Sequence, residues 1–181
     1  MLTLLVVIIA LALVFDFING FHDAANSIAT IVSTKVLKPL QAVLWAAMFN
    51  FVAFFIAKYV IGEFGIANTV SKSVVDTFIT LPVIFSGITA AIIWNLATWW
   101  LGIPSSSSHT LIGGFAGAAI MSSIIQSGYT TSGLEAIKGD VIVKIAAFIV
   151  LAPAIGMFVS SVLTLLILYT FKKVNPYKAN T

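Results

Sequence analysis

The chain has 181 residues, 60% of them hydrophobic and only 8% charged. Soluble domains carry about 25% charged residues, and nine lysines with six acids cannot coat a chain of this size in water, so most of its surface faces lipid. With no cysteine there are no disulfides, thiolate metal sites or cysteine nucleophiles, and a net charge of +3 from scattered lysines is no nucleic-acid footprint.

The expected fold is an all-α integral membrane protein, a polytopic helical bundle forming one transmembrane domain over 1–181. Its spans are expected near 2–32, 40–61, 82–121 and 141–171. The opening "MLTLLVVIIALALVF" has neither a positive leading segment nor a small-residue cleavage site, so it reads as a retained first helix. That helix runs on into "FDFINGFHDAANSIATIVSTK", Phe15–Lys35. Asp16, Asp23 and Thr30 are spaced by sevens, as are Asn19, Asn26 and Ser33, which stacks them as a polar stripe on one helical face. Gly20 offers a point where the helix can open, so a broken first helix is expected.

An ionised carboxylate at membrane depth costs at least about 3 kcal/mol and normally has a partner. No lysine lies close enough in sequence to pair with Asp23, which points to a bound cation, Na⁺ or a proton. The alternative is that the stripe hydrogen-bonds neighbouring helices together.

The second span, Leu40–Ile61, is opened by Pro39, and Lys58 near its end is placed to snorkel. The third, Pro82–Leu101, carries Trp94, Trp99 and Trp100, which read as an interface or a packed wall. After it comes "GIPSSSSHTLIGGFAGAAIM", Gly102–Met121, whose apolar half is too short to cross alone. A re-entrant hairpin with the third span is expected, two full spans being the alternative.

Serines at the start of a helix combine hydroxyl donors with free backbone N–H groups and the positive helix end, which holds an anion without a buried cation. A capped loop is the plainer reading, and His109 by itself is uninformative. Gly113, Gly114 and Gly117 suit close helix packing. In the last block, Val141–Phe171, Pro153 and Gly156 mark the place for a kink.

Lys35 and Lys38 in the first loop and Lys172, Lys173 and Lys178 in the tail put both on the cytoplasmic side of the cell membrane, with the N-terminus outside. Loop Gly62–Leu81 is mixed, Glu63 and Asp76 against Lys72. The number of crossings is odd whether the middle segment is a hairpin or two spans.

"GFHDAANSIAT" at Gly20–Thr30 and "GIPSSSSHTLIGG" at Gly102–Gly114 together resemble the inorganic phosphate transporter family, the PiT or Pho4-type permeases. The likeness covers essentially the whole chain. It implies symport of phosphate with Na⁺ or H⁺ rather than an enzyme activity, and no cofactor. By motif position it implies that Asp23 and Asn26 belong to the ion and phosphate site, holding Na⁺ if sodium is the coupling ion. Ser106, Ser107 and Ser108 would hold phosphate, with Ser105 at the variable position. Asn19 and His22 join the ion-binding set, and His22 stands where many members have asparagine, so it can itself carry a proton.

Family transporters contain two such repeats in inverted orientation, whereas one copy of each motif is present here. The chain therefore resembles one inverted-repeat half, whose partners are lipid, a second half on the same or a separate polypeptide, and in a further assembly another copy of itself. A sulfate or other oxyanion transporter uses the same groups and is the alternative. An anion channel lacks support from any known carbonyl filter, and an intramembrane hydrolase lacks a Gly-x-Ser-x-Gly or His-Glu-x-x-His motif.

Overall fold

The computed structural model describes residues 1–62 and 65–173, so the expected charges at Glu63 and Lys178 lie outside the described residues. Apart from one isolated bridge, regular structure among them is entirely helical. Five helices are long and apolar enough to cross a membrane: Leu2–Ser33 (α1), Pro39–Ile61 (α2 with a terminal π turn), Leu81–Leu101 (α4), Ser107–Gln126 (α5) and Gly139–Phe171 (α6). A short α3, Gly65–Lys72, precedes α4. The chain divides into two units, Met1–Lys138 and Gly139–Thr181.

In the first unit α1 is one unbroken helix of 32 residues, which corrects the expected break at Gly20. A glycine within a helix costs only about 1 kcal/mol relative to alanine. Two of its hydroxyls bond back to the helix itself. Ser27 donates to the Asp23 carbonyl at 3.1 Å and Ser33 to the Thr30 carbonyl at 3.0 Å.

Helix α2 starts with Pro39, and the Gln41 side chain accepts from the Lys38 N–H at 3.2 Å. Pro82 lies in the first turn of α4, where its missing N–H is no loss. At its end Gly102 turns left-handed (φ +66°), with bonds from Gly102 N to Trp99 O and from Ile103 N to Thr98 O. That is a Schellman stop.

Helix α5 then returns along α4. At 20 residues it spans about 30 Å. This corrects the expectation that the second arm is too short to cross, because the helix continues five residues past Met121. Gly87 and Gly114 let the two helices touch. A Cβ on Gly87 would meet the Phe115 Cα at 2.9 Å, and one on Gly114 would meet the Gly87 carbonyl oxygen at 2.6 Å. Of the three glycines expected to make close contact, only Gly114 does; a Cβ on Gly113 or Gly117 would meet nothing within 4 Å.

One end of the hairpin is clamped by its flanking loops. Val74, Val83, Phe115, Ala119 and Ala136 form a buried apolar cluster. Above it Val74 pairs with Ile137 in the isolated bridge, supported by Val75 N to Ala136 O at 2.8 Å and Lys138 N to Ser73 O at 3.0 Å. Ser123 donates to the Glu135 carboxylate at 2.8 Å. The Thr131 hydroxyl, the Glu135 backbone and that Ser123 bond, in that order, hold this carboxyl below its ordinary value. In the second unit α6 is assigned as one helix of 33 residues through Pro153, and none of its residues is buried.

Candidate functional site

Two cavities are lined by polar groups from the apolar helices and the turn between α4 and α5. The first opens between α4 and α5, with a volume of about 460 Å³, and is lined by Trp94, Ser105, Ser106, His109 and Thr110 together with small residues. Ser106 is the N-cap of α5: its hydroxyl accepts from the His109 N–H at 3.5 Å and lies 2.7 Å from His109 Nδ1. Both contacts hold at once when Ser106 donates its proton to Nδ1. His109, uninformative by itself in the sequence, thus bonds to a hydroxyl. Thr110 donates to the Ser106 carbonyl at 2.9 Å and lies 3.3 Å from the Ser105 hydroxyl.

The capping arrangement leaves the first backbone N–H groups of α5, at Ser107 and Ser108, without intrahelical acceptors. With the positive end of a 20-residue helix, they form an uncharged environment suited to an anion. The serine run is split by helical rotation. Ser105 and Ser106 line the cavity, Ser107 is buried at 4% exposure, and Ser108 is half-buried and lines neither cavity.

The second cavity, about 490 Å³, lies between α1 and α2 and presents Asn19, Asp23, Ser27 and Asn50 against an apolar wall. A lone carboxylate among neutral oxygens is a donor set that attracts a hard monovalent cation or a proton. Asn26 is exposed and does not line this cavity. The imidazole of His22 is turned inward, its side chain 7% exposed, with Nδ1 at 3.8 Å from the Asp23 carboxylate. That distance is too long for a hydrogen bond, and Nδ1 has no other partner among the described residues.

The two cavities are separate. Phe21 of α1 and Trp99 of α4, which line neither cavity, meet edge-on at 5.2 Å, two residues before Asp23 and three before the Gly102 stop that leads into the serines. Trp99 makes this ring contact and is otherwise 51% exposed, as Trp94 and Trp100 are also exposed. Sequence reasoning missed Asn50 and Asn95. Each is a lone amide inside an apolar helix, "AAMFNFVAFF" and "AIIWNLATWW", the same signal that drew attention to Asp23. Asn95 is fully buried (0% exposed), and neither its Oδ1 nor its Nδ2 has a partner among the described residues.

Residues 19–181 match the model of a family described as "Phosphate transporter family". The chain is 45% identical to a probable low-affinity inorganic phosphate transporter of Rhizobium meliloti, over 98% of this chain and 49% of that protein. It is 44% identical to one of Bacillus subtilis, over 99% of this chain and 50% of that protein. A Streptomyces halstedii protein of the same description is 39% identical, over 97% of this chain and 76% of its own length. The chain thus spans about half the length of the first two relatives. No solved structure matches. Since the matched region holds both the aspartate-bearing segment of α1 and the serine-rich start of α5, the chain belongs to the phosphate transporter family.

Proposed function

We propose that this chain is one inverted-repeat half of a transporter that carries inorganic phosphate with Na⁺ or H⁺ by alternating access. Phosphate is held at the start of α5 by Ser105 and Ser106 with the backbone N–H groups of Ser107 and Ser108, and the cation by Asp23 with Asn19, while His22 and Asn26, outside that cavity here, join when the helices rearrange. Asn50 joins the cation set from α2. The observation that carries this reading is the presence of two unlike cavities in one unit: one is lined by hydroxyls at a helix start and the other surrounds a carboxylate, with α1 and α4 in contact through Phe21 and Trp99.

Coupling follows from that arrangement: a cation beside Asp23 lowers the cost of bringing an anion to the same depth, and the anion returns the favour by the same free energy. Five helices long and apolar enough to cross, with lysines at the first loop and tail, support an N-terminus outside and a C-terminus in the cytoplasm. An odd count is what inverts a following half, which completes the pathway from the same or a separate polypeptide. A further copy of the whole assembly is compatible with the extensive apolar exterior.

The test is cation-driven uptake of labelled phosphate into liposomes by the chain assembled with its second half. Asp23→Asn keeps size and hydrogen bonding but removes the charge. Its uptake should fall at least tenfold and lose its dependence on the cation gradient. Unchanged, gradient-driven uptake in Asp23→Asn would exclude Asp23 as the coupling residue.

A further inference from the structure

Helices α4 and α5 run antiparallel with a register set by backbone contacts: Gly87 against Phe115 and Gly114, and Gly114 against the Ala91 N at 3.5 Å from a built Cβ. The buried positions of α4, Gly87, Ala91 and Asn95, advance by one turn at a time. Those of α5 return through Phe115, Ile112 and Ser107. Continuing the register sets Asn95 opposite Ser107, the first residue of α5.

Both side chains are more than nine-tenths buried, and three polar atoms (Asn95 Oδ1, Asn95 Nδ2 and Ser107 Oγ) have no hydrogen-bond partner among the described residues. Elsewhere in this hairpin, buried polar side chains are satisfied: Thr98 donates to the Trp94 carbonyl at 2.9 Å and Ser123 to Glu135 at 2.8 Å. An unmet buried donor or acceptor is costly enough to need a function. The chain neighbours of the pair, Trp94 and Ser106, line the α4/α5 cavity. On the other side Phe21 of α1 closes over Trp99, one turn from Asn95.

We infer that Asn95 is a specificity-determining residue of the oxyanion site, selecting a protonated oxyanion over a fully ionised one. This rests on the phosphate-transport reading and deepens it. Hydroxyls and backbone amides alone offer donors to any tetrahedral anion, so they do not tell phosphate from sulfate. The Asn95 carboxamide brings both signs: Nδ2, with Ser107 Oγ, donates to ionised oxygens, while Oδ1 accepts. At neutral pH phosphate keeps at least one P–OH, which donates to Oδ1. Sulfate has no proton, so its oxygen meets the carboxamide oxygen lone pair to lone pair. A site with a buried acceptor rejects the analogue lacking the hydrogen. The pair is closed off in this conformation, and a change of packing around it during the transport cycle opens it to the cavity that Trp94 and Ser106 line.

The experiment uses the chain assembled with its second half in liposomes, measuring the KM for labelled phosphate and inhibition by sulfate and arsenate. In the unsubstituted protein arsenate, which also carries a hydroxyl, competes and sulfate does not. In Asn95→Leu the KM for phosphate rises about tenfold or more, and the ratio of the sulfate inhibition constant to that KM falls about tenfold or more. Asn95→Gln, which keeps the carboxamide but moves it by one methylene, shifts both in the same direction by a few-fold and decides the matter if the leucine variant fails to assemble. A merely structural role lowers the amount of protein or the maximal rate and leaves the ratio fixed. That result in either variant overturns the inference. Absence of phosphate uptake by the unsubstituted protein overturns the phosphate reading and this inference together, whereas uptake with an unchanged ratio overturns this inference alone.

Discussion

Replacing Gly114 by alanine places one methyl group where the α4/α5 hairpin has no room. The new Cβ lies 2.6 Å from the Gly87 carbonyl oxygen, 3.4 Å from its carbon and 3.5 Å from the Ala91 nitrogen. All three are backbone atoms, so no rotamer change relieves the overlap. A relaxed carbon–oxygen contact is about 3.3 Å or longer, which requires the helices to part by roughly 0.7 Å at this level. Overpacking of that kind costs about 1–3 kcal/mol, which corresponds to a fall of roughly 2–12 °C in Tm for a chain of this size.

Gly117→Ala is the matched control, since a Cβ there meets nothing within 4 Å. It should leave Tm unchanged or raise it slightly, as alanine favours the helix by about 0.5–1 kcal/mol. Thermal unfolding of both variants in the same detergent measures the difference. Equal Tm values would refute the close backbone approach, and with it the register that sets Asn95 against Ser107.

Two further outcomes follow from the structure. Ser106→Ala removes the N-cap of α5 and the His109 Nδ1 contact, so stability should fall by about 1 kcal/mol and phosphate KM should rise; an unchanged Tm would show that the cap carries no weight. Because the Glu135 carboxyl is held below its ordinary value, the ionised form contributes stability above the value of the unfolded chain, and that contribution is lost as pH falls through the lowered one. Glu135→Gln should therefore be less stable than the unsubstituted protein at neutral pH, with the gap closing in acid; a gap independent of pH would place its origin elsewhere.

The lipid environment explains which features were legible in the sequence. A span must be apolar over about 20 residues and must satisfy its backbone internally, so membrane class and helix positions could be read from composition. Polar groups such as Asp23 and the serines stand out against that background for the same reason. The break expected at Gly20 did not occur, because one glycine costs a helix only about 1 kcal/mol, too little to open it. The length of α5 was underestimated because "SSIIQ", Ser122–Gln126, looks polar at first, although its serines are accommodated in the last turns of the helix.

What only the tertiary structure decided is lateral. In a membrane the lipid-facing and packed faces are both apolar, so periodicity does not say which side of a helix touches its neighbour. For that reason the sequence did not separate Gly114, which touches Gly87, from Gly113 and Gly117, where an added Cβ would meet nothing within 4 Å. The same loss of facing information hid Asn50 beside Asp23 and Asn95 opposite Ser107, since their meaning comes from which helix lies across from them. Sequence alone determined the membrane class, the helices and the two motifs, because these follow from burial in oil and from local hydrogen bonding. The rotation of each helix, and so the membership of each cavity, was decided by backbone-to-backbone packing.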